Sequence, residues 1–230
     1  MNMKNESMAG IGENVALESA GRHPSVKRVV AVALALWLGL VCLLGSQGAF
    51  VAGADSPPLP IFLGVAVPLA VFFAAYLGWG AFRAFVLSAD LRLVSALQAW
   101  RWGGIGFLSL YAHGVLPGLF AFPAGLGDMA IGVTAPWMVL RLIRRPAFAA
   151  SRRYVMWNIL RIVDFVVAVS MGTICSGFIH GLALNVTTSA MAQLPLVLIP
   201  AYMVPFFIML HFTALSQARR LVRSVESAPA

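Results

Sequence analysis

The sequence predicts an all-α polytopic membrane protein, a helical bundle of six transmembrane spans kinked at several prolines. Three observations predict it. Of 230 residues, 60% are hydrophobic and only 10% charged, whereas a soluble domain carries about 25% charged residues. The apolar residues come in runs about twenty long rather than in alternating or amphipathic patterns. The basic residues collect in every second link between those runs, as the positive-inside rule asks of a threaded chain.

In chain order, residues 1–28 mix Asn, Glu, Gly and Ser without an apolar period and read as a disordered cytoplasmic head. The apolar runs are 29–52, 59–86, 102–122, 127–143, 154–181 and 195–216, a membrane domain over 29–216 with a short basic tail, 217–230. Ala52-Gly53-Ala54 resembles a signal-peptidase site. The long apolar stretch and long head before it favour retention of span one. Spans two and six both open on Leu-Pro (Leu59–Pro60 and Leu194–Pro195), which is start chemistry for a helix rather than a repeat. Segment 87–101 is less apolar than its neighbours and reads as an interfacial helix or a cytoplasmic extension of span three. Trp100 and Trp102 beside Arg101 suit the headgroup zone, and Gln98 and Arg101, three apart, share a helix face.

Fifteen of the 16 basic residues lie at the head, around two links and in the tail, and the remaining one is Arg161. Links 53–58, 123–126 and 182–194 contain none. That alternation fits an even number of spans with both termini in the cytoplasm of a bacterial cell, in its inner membrane. The net charge of +8 is therefore a threading signal and not a nucleic-acid footprint. The partners it implies are the lipid bilayer and an unknown small solute or ion.

Several residues could carry chemistry. Pro68, Pro117, Pro136, Pro200 and Pro205 fall within spans, and each removes the hydrogen bond to a carbonyl four residues earlier. Such kinks serve as hinges or ligand positions, and are also tolerated without function when neighbours re-satisfy the carbonyl. "FAFPAGLGD", residues 120–128, reads as a break near the outer face. It is either a re-entrant turn feeding an anion site or, the preferred reading, a tight turn with Asp128 as N-cap of span four. His113 and His180 both fall in the outer half and could ligate a b-type haem axially if they faced each other. Hydrogen-bonded packing or proton handling are the other readings for these histidines. Cys42 and Cys175 lie in apolar runs and form neither a disulfide framework nor a metal motif. No HExxH, GxSxG, Walker or dinucleotide fingerprint is present, and "GGIGF" at 103–107 suits close helix packing. An enzyme is the least supported class.

The sharpest feature is a charged pair inside an apolar run, Arg161 and Asp164. Counted from Tyr154 they lie roughly 10 and 15 Å into the membrane. Arg161 can snorkel back toward the interface, but Asp164 stays near the midplane. An intramembrane carboxylate is by default a candidate site, and the competing reading is a structural ion pair between two residues sharing a face. Asn158, Gln98, Arg101 and His211 fall at similar depth and would complete an inner polar cluster, opposite an outer one of His113, Asp128 and His180.

Leu97-Gln98, Arg101, Gly103-Gly104, Phe107-Leu108, Leu116-Pro117, Phe120-Ala121, Pro123-Ala124-Gly125 and Gly127-Asp128 together resemble a family of uncharacterised bacterial polytopic membrane proteins. "WNILRIVDFVVAV" and "LPLVLIPAYMVPFFIMLH" are similar to later segments of that family, so the likeness covers about residues 90–215. It implies a recurrent architecture containing the Gln–Arg pair and the PAGxGD segment, and no activity. The function class that the kinked spans and buried polar residues favour is small-solute or proton handling. The alternatives are an intramembrane b-type haem redox protein and a non-catalytic assembly or accessory subunit.

Overall fold

The computed structural model describes residues 3–53, 56–179 and 185–226, with side chains over 25–53, 56–179 and 185–222. The architecture is helical throughout, with no strand among the described residues. The helices are α1 (Met3–Ser46), α2 (Leu59–Gly78), α3 (Gly80–Leu87), α4 (Leu91–Ala96), α5 (Ile105–Ala112), α6 (Gly118–Arg144), α7 (Arg152–Ile174) and α8 (Val204–Glu226). Of the head expected to be disordered, residues 1–24 lie outside the described side chains. Five segments are long and apolar enough to cross a membrane: Ser25–Ser46, Leu59–Gly78, Gly118–Arg144, Arg152–Ile174 and Ile199–Val222.

The expected third span takes a different form. Leu97–Gly104 is a 3-10 helix joining α4 to α5, and the junction residues Leu97 and Ile105 both keep right-handed helical angles. The result is one helical rod from Leu91 to Ala112, capped at its start by the Asp90 side chain. With eight residues wound at the longer 3-10 rise, the rod is about 37 Å long, enough for a hydrocarbon core of about 30 Å.

The break after this rod also differs from expectation. It lies at His113–Pro117, not at 123–127. Gly114 has φ +70, its N–H bonds Tyr111 O, and Val115 N–H bonds Leu110 O; this pair of bonds is a Schellman cap. Pro117 then serves as N-cap of α6, so it sits at a helix boundary rather than inside a span. The Pro-Ala-Gly-Leu-Gly stretch continues as helix within α6. Its glycines supply close contact instead of a turn. Ala121, Gly125, Asp128, Gly132 and Ala135 fall at spacings of four and three, one stripe of small residues around a single carboxylate. A Cβ on Gly125 would come 2.9 Å from Gly104 O, and one on Gly132 would overlap the Trp102 backbone nitrogen. Helices in lipid associate through such small-residue contacts.

Span five is shorter than its apolar run. α7 ends at Ile174 and the chain turns through Gly177 at φ +92. In the last span, Pro200 lies within a π-helical turn, Ile199–Met203, that leads into α8. Pro68 and Pro136 are interior to α2 and α6 as expected.

The bundle is apolar on its outer surface, and its buried polar residues lie within a largely apolar interior. On α7 the exposed positions include Leu160, Val163 and Val166, while Tyr154, Asn158, Arg161 and Phe165 are buried. α6 likewise exposes Leu119, Leu126, Val133 and Leu140. Lipid demands this arrangement, because a charge is tolerated only where protein or a cavity surrounds it.

Candidate functional site

Arg101 is the centre of the buried cluster. It stands on the 3-10 segment, is 3% exposed, and reaches carboxylates on two different helices. Its Nε donates to Asp128 Oδ1 on α6 at 2.6 Å, and its Nη2 donates to Asp164 Oδ2 on α7. Its guanidinium also lies 4.0 Å from the Phe165 ring centroid. The close backbone approach makes this possible. A Cβ on Gly104 would sit 2.5 Å from Asp128 Cβ, and one on Gly127 would overlap the Asp164 carboxylate. Glycine at 104 brings the rod onto α6, and glycine at 127 leaves the space that Asp164 fills.

Asp128 is therefore not the N-cap of a span. It lies in the middle of α6, two turns and more beyond Gly118, as an ion-pair partner. It joins the inner cluster rather than an outer one.

The expected Arg161–Asp164 pair does not form. Arg161 has no ion-pair partner among the described residues. Its guanidinium lies 3.2 Å from the Trp157 ring centroid, and Nη2 donates to Ile131 O at 3.1 Å. The cause is side-chain direction. Long side chains on a helix lean back toward its N-terminus, so Arg161 covers the turn carrying Trp157 and points away from Asp164. Trp157 is held in turn by its Nε1–H donating to Thr134 Oγ1 at 3.0 Å.

One turn further toward the start of α7 a neutral polar chain continues the cluster. Asn158 Nδ2 donates to Tyr154 O at 2.9 Å. Asn158 Oδ1 is thereby left as acceptor for His211 Nδ1, at 3.0 Å, which places the imidazole proton on Nδ1. Tyr154 OH lies 3.0 Å from Ser95 Oγ. Gln98 is 1% exposed. Both its amide atoms, together with Arg101 Nη1, Arg161 Nε and Nη1, and His211 Nε2, lack a hydrogen-bond partner among the described residues. Buried polar atoms in proteins mostly have a protein or water partner.

Arg101, Arg161, Asp164 and His211 are thus brought together, with Asp128 added, and Gln98 is buried on the same 3-10 segment as Arg101. His113 is not among them. It is exposed, in the turn after α5, with Nδ1 at 2.8 Å from Ser109 O. His180 lies outside the described residues.

A cavity of about 680 Å³ adjoins the cluster. Its lining runs from the loops around Gly53 and Thr187 past the aromatic walls of Phe107, Phe120 and Phe207 to Arg101 and Asp128. Asp164 is not in the lining; Phe165, the next residue on α7, is. Sequence reasoning missed this geometry at Asp128. The signal that carries it is the four-three spacing of small residues around that carboxylate.

Five membrane-length apolar helices around buried charges define a polytopic helical membrane protein. Within that class the chain belongs to the family described as a domain of unknown function (DUF8737), whose match covers residues 58–219. That range takes in every member of the charge cluster and contains the whole of segment 90–215. No curated protein and no solved structure matches the chain.

Proposed function

We propose that the protein handles a small solute or protons in a bacterial inner membrane, with both termini cytoplasmic and the cavity facing the outer side. The cavity that ends on Asp128 and Arg101 carries this reading. A purely structural ion-pair network needs no such space beside it. A pocket of about 300–1,000 Å³, mostly apolar with a few polar groups at one end, is what small-molecule sites look like. The orientation rests on the basic links. Arg141, Arg144, Arg152 and Arg153 flank the α6–α7 connection, and the loops at the cavity's other end lack basic residues. Counting the rod Leu91–Ala112 as a crossing makes the number of spans even.

Single cysteines at Ala168 and Thr173, both lining the cavity, test the reading in a protein whose Cys42 and Cys175 are replaced by serine. Both should react with a membrane-impermeant maleimide added from the periplasmic side. Silence at both positions from that side overturns the proposal.

A further inference from the structure

We infer that the cavity takes a lipophilic organic cation, an amine or onium centre on an apolar body, with Asp128 as its counter-charge. This deepens the proposed solute reading and rests on it. The sign of the charge follows from what the cavity sees. Arg101 offers its side chain at only 2% exposure, whereas Asp128 is 20% exposed. The guanidinium is also committed to two carboxylates, so the triad of Arg101, Asp128 and Asp164 has one negative charge to spare. Arg161 carries the balancing charge but turns it onto Trp157 and Ile131 O, and Arg161 is not part of the cavity lining. A ligand in the cavity therefore meets the Asp128 carboxylate as the more exposed charge, with the Arg101 side chain almost wholly covered.

The walls decide between kinds of cation. A hard metal ion wants six or more oxygen ligands, and Asp128 supplies the sole carboxylate among the described lining residues. Phe107, Phe120, Phe165, Phe207 and Trp100 instead give the cavity aromatic surface. Aromatic faces attract ammonium and onium groups while burying their apolar substituents. An anion would approach Asp128 with Arg101 already covered, so the arrangement selects against it.

Tetraphenylphosphonium and tetraphenylborate have nearly the same shape and opposite charge, so together they read the sign directly. Binding of each is measured on the full-length protein in nanodiscs, with the signal of protein-free nanodiscs subtracted. The phosphonium should bind about tenfold or more tightly than the borate, and should protect a cysteine at Ala168 from maleimide. Asp128→Asn should abolish the preference and Asp128→Glu should keep it. Equal or tighter binding of the borate to wild type, or no binding of either ion, overturns the cation assignment. It leaves the solute reading standing as long as Ala168 and Thr173 cysteines label from outside. A preference that survives Asp128→Asn overturns the role of Asp128. The wild-type comparison decides the charge even if a variant does not fold.

Discussion

Asp164 is bonded to Arg101, 63 positions away in sequence, and not to Arg161, three positions back on its own helix. The first contact ties two helical segments together across the bundle, whereas the second would only have quieted one helix. This arrangement makes Arg101 the keystone of the cluster, since among the described residues it alone is ion-paired to both carboxylates.

Arg101→Met should therefore be the most damaging single change in the cluster. It leaves two part-buried carboxylates unpaired, and removing one partner of a fully buried pair costs about 3–5 kcal/mol, an upper bound here. Asp164→Asn should be milder, because Asp128 still holds the guanidinium. Thermal unfolding of the detergent-solubilised protein, followed by size-exclusion chromatography, ranks the two. A more stable Arg101→Met than Asp164→Asn would contradict the shared-guanidinium geometry.

Gly132→Ala should loosen the contact between α6 and the 3-10 segment. The added methyl overlaps the Trp102 backbone nitrogen, and backbone gives way less easily than a side chain. Overpacking of this kind costs about 1–3 kcal/mol. Gly103→Ala, where a Cβ meets nothing within 4 Å, is the control and should be neutral or slightly stabilising. Equal melting temperatures for the two variants would remove the case for backbone-to-backbone packing.

The same glycines show where sequence reading stops. Apolar runs are legible because lipid leaves few alternatives to a helix with an apolar surface, and the five membrane-length helices follow those runs. The buried polar residues of α7 are legible for the same reason, since a charge in such a run must turn inward. Pro123, Gly125 and Gly127 are ambiguous. The residue types that break a helix in water also let two helices touch in a membrane, and only the partner at Gly104 and Asp164 tells which. The break itself was carried by Gly114 and Pro117, ten residues earlier, through a cap whose bonds no composition count reveals. Three-residue spacing likewise put Arg161 and Asp164 on one face but said nothing of which way the guanidinium leans.

Asp90 lies at the start of the rod, outside the apolar spans, and accepts the Arg92 N–H at 2.9 Å. Bonds from the Arg92 side chain, then from its backbone, hold the Asp90 carboxyl below its ordinary range. A depressed folded value means stability that is fully present above the unfolded pKa, about 3.9, and lost as pH falls through the lower folded value. At neutral pH, Asp90→Asn should keep the cap, whereas Asp90→Ala should cost about 1 kcal/mol. Below pH 4 the gap between wild type and Asp90→Asn should narrow in thermal melts. A gap that widens on acidification would show that the carboxylate has no such role.

The last prediction concerns the position of the turn before α6, which faces outward in the proposed orientation. The structure places it at His113–Pro117, and Leu126 on the exposed face of a continuous α6. A cysteine at Val115 should therefore react with an impermeant maleimide from the periplasmic side, as should one at Ser56. Ala147 is exposed in the connection between α6 and α7, and a cysteine there should react from the cytoplasmic side alone. Leu126→Cys should react from neither side, because lipid covers that face and thiolate formation needs water. A turn at 123–127 would reverse the comparison, leaving Val115 within a span and Leu126 freely labelled. Labelling of Ala147 from the outside would instead invert the orientation, and with it the side from which the cavity is filled.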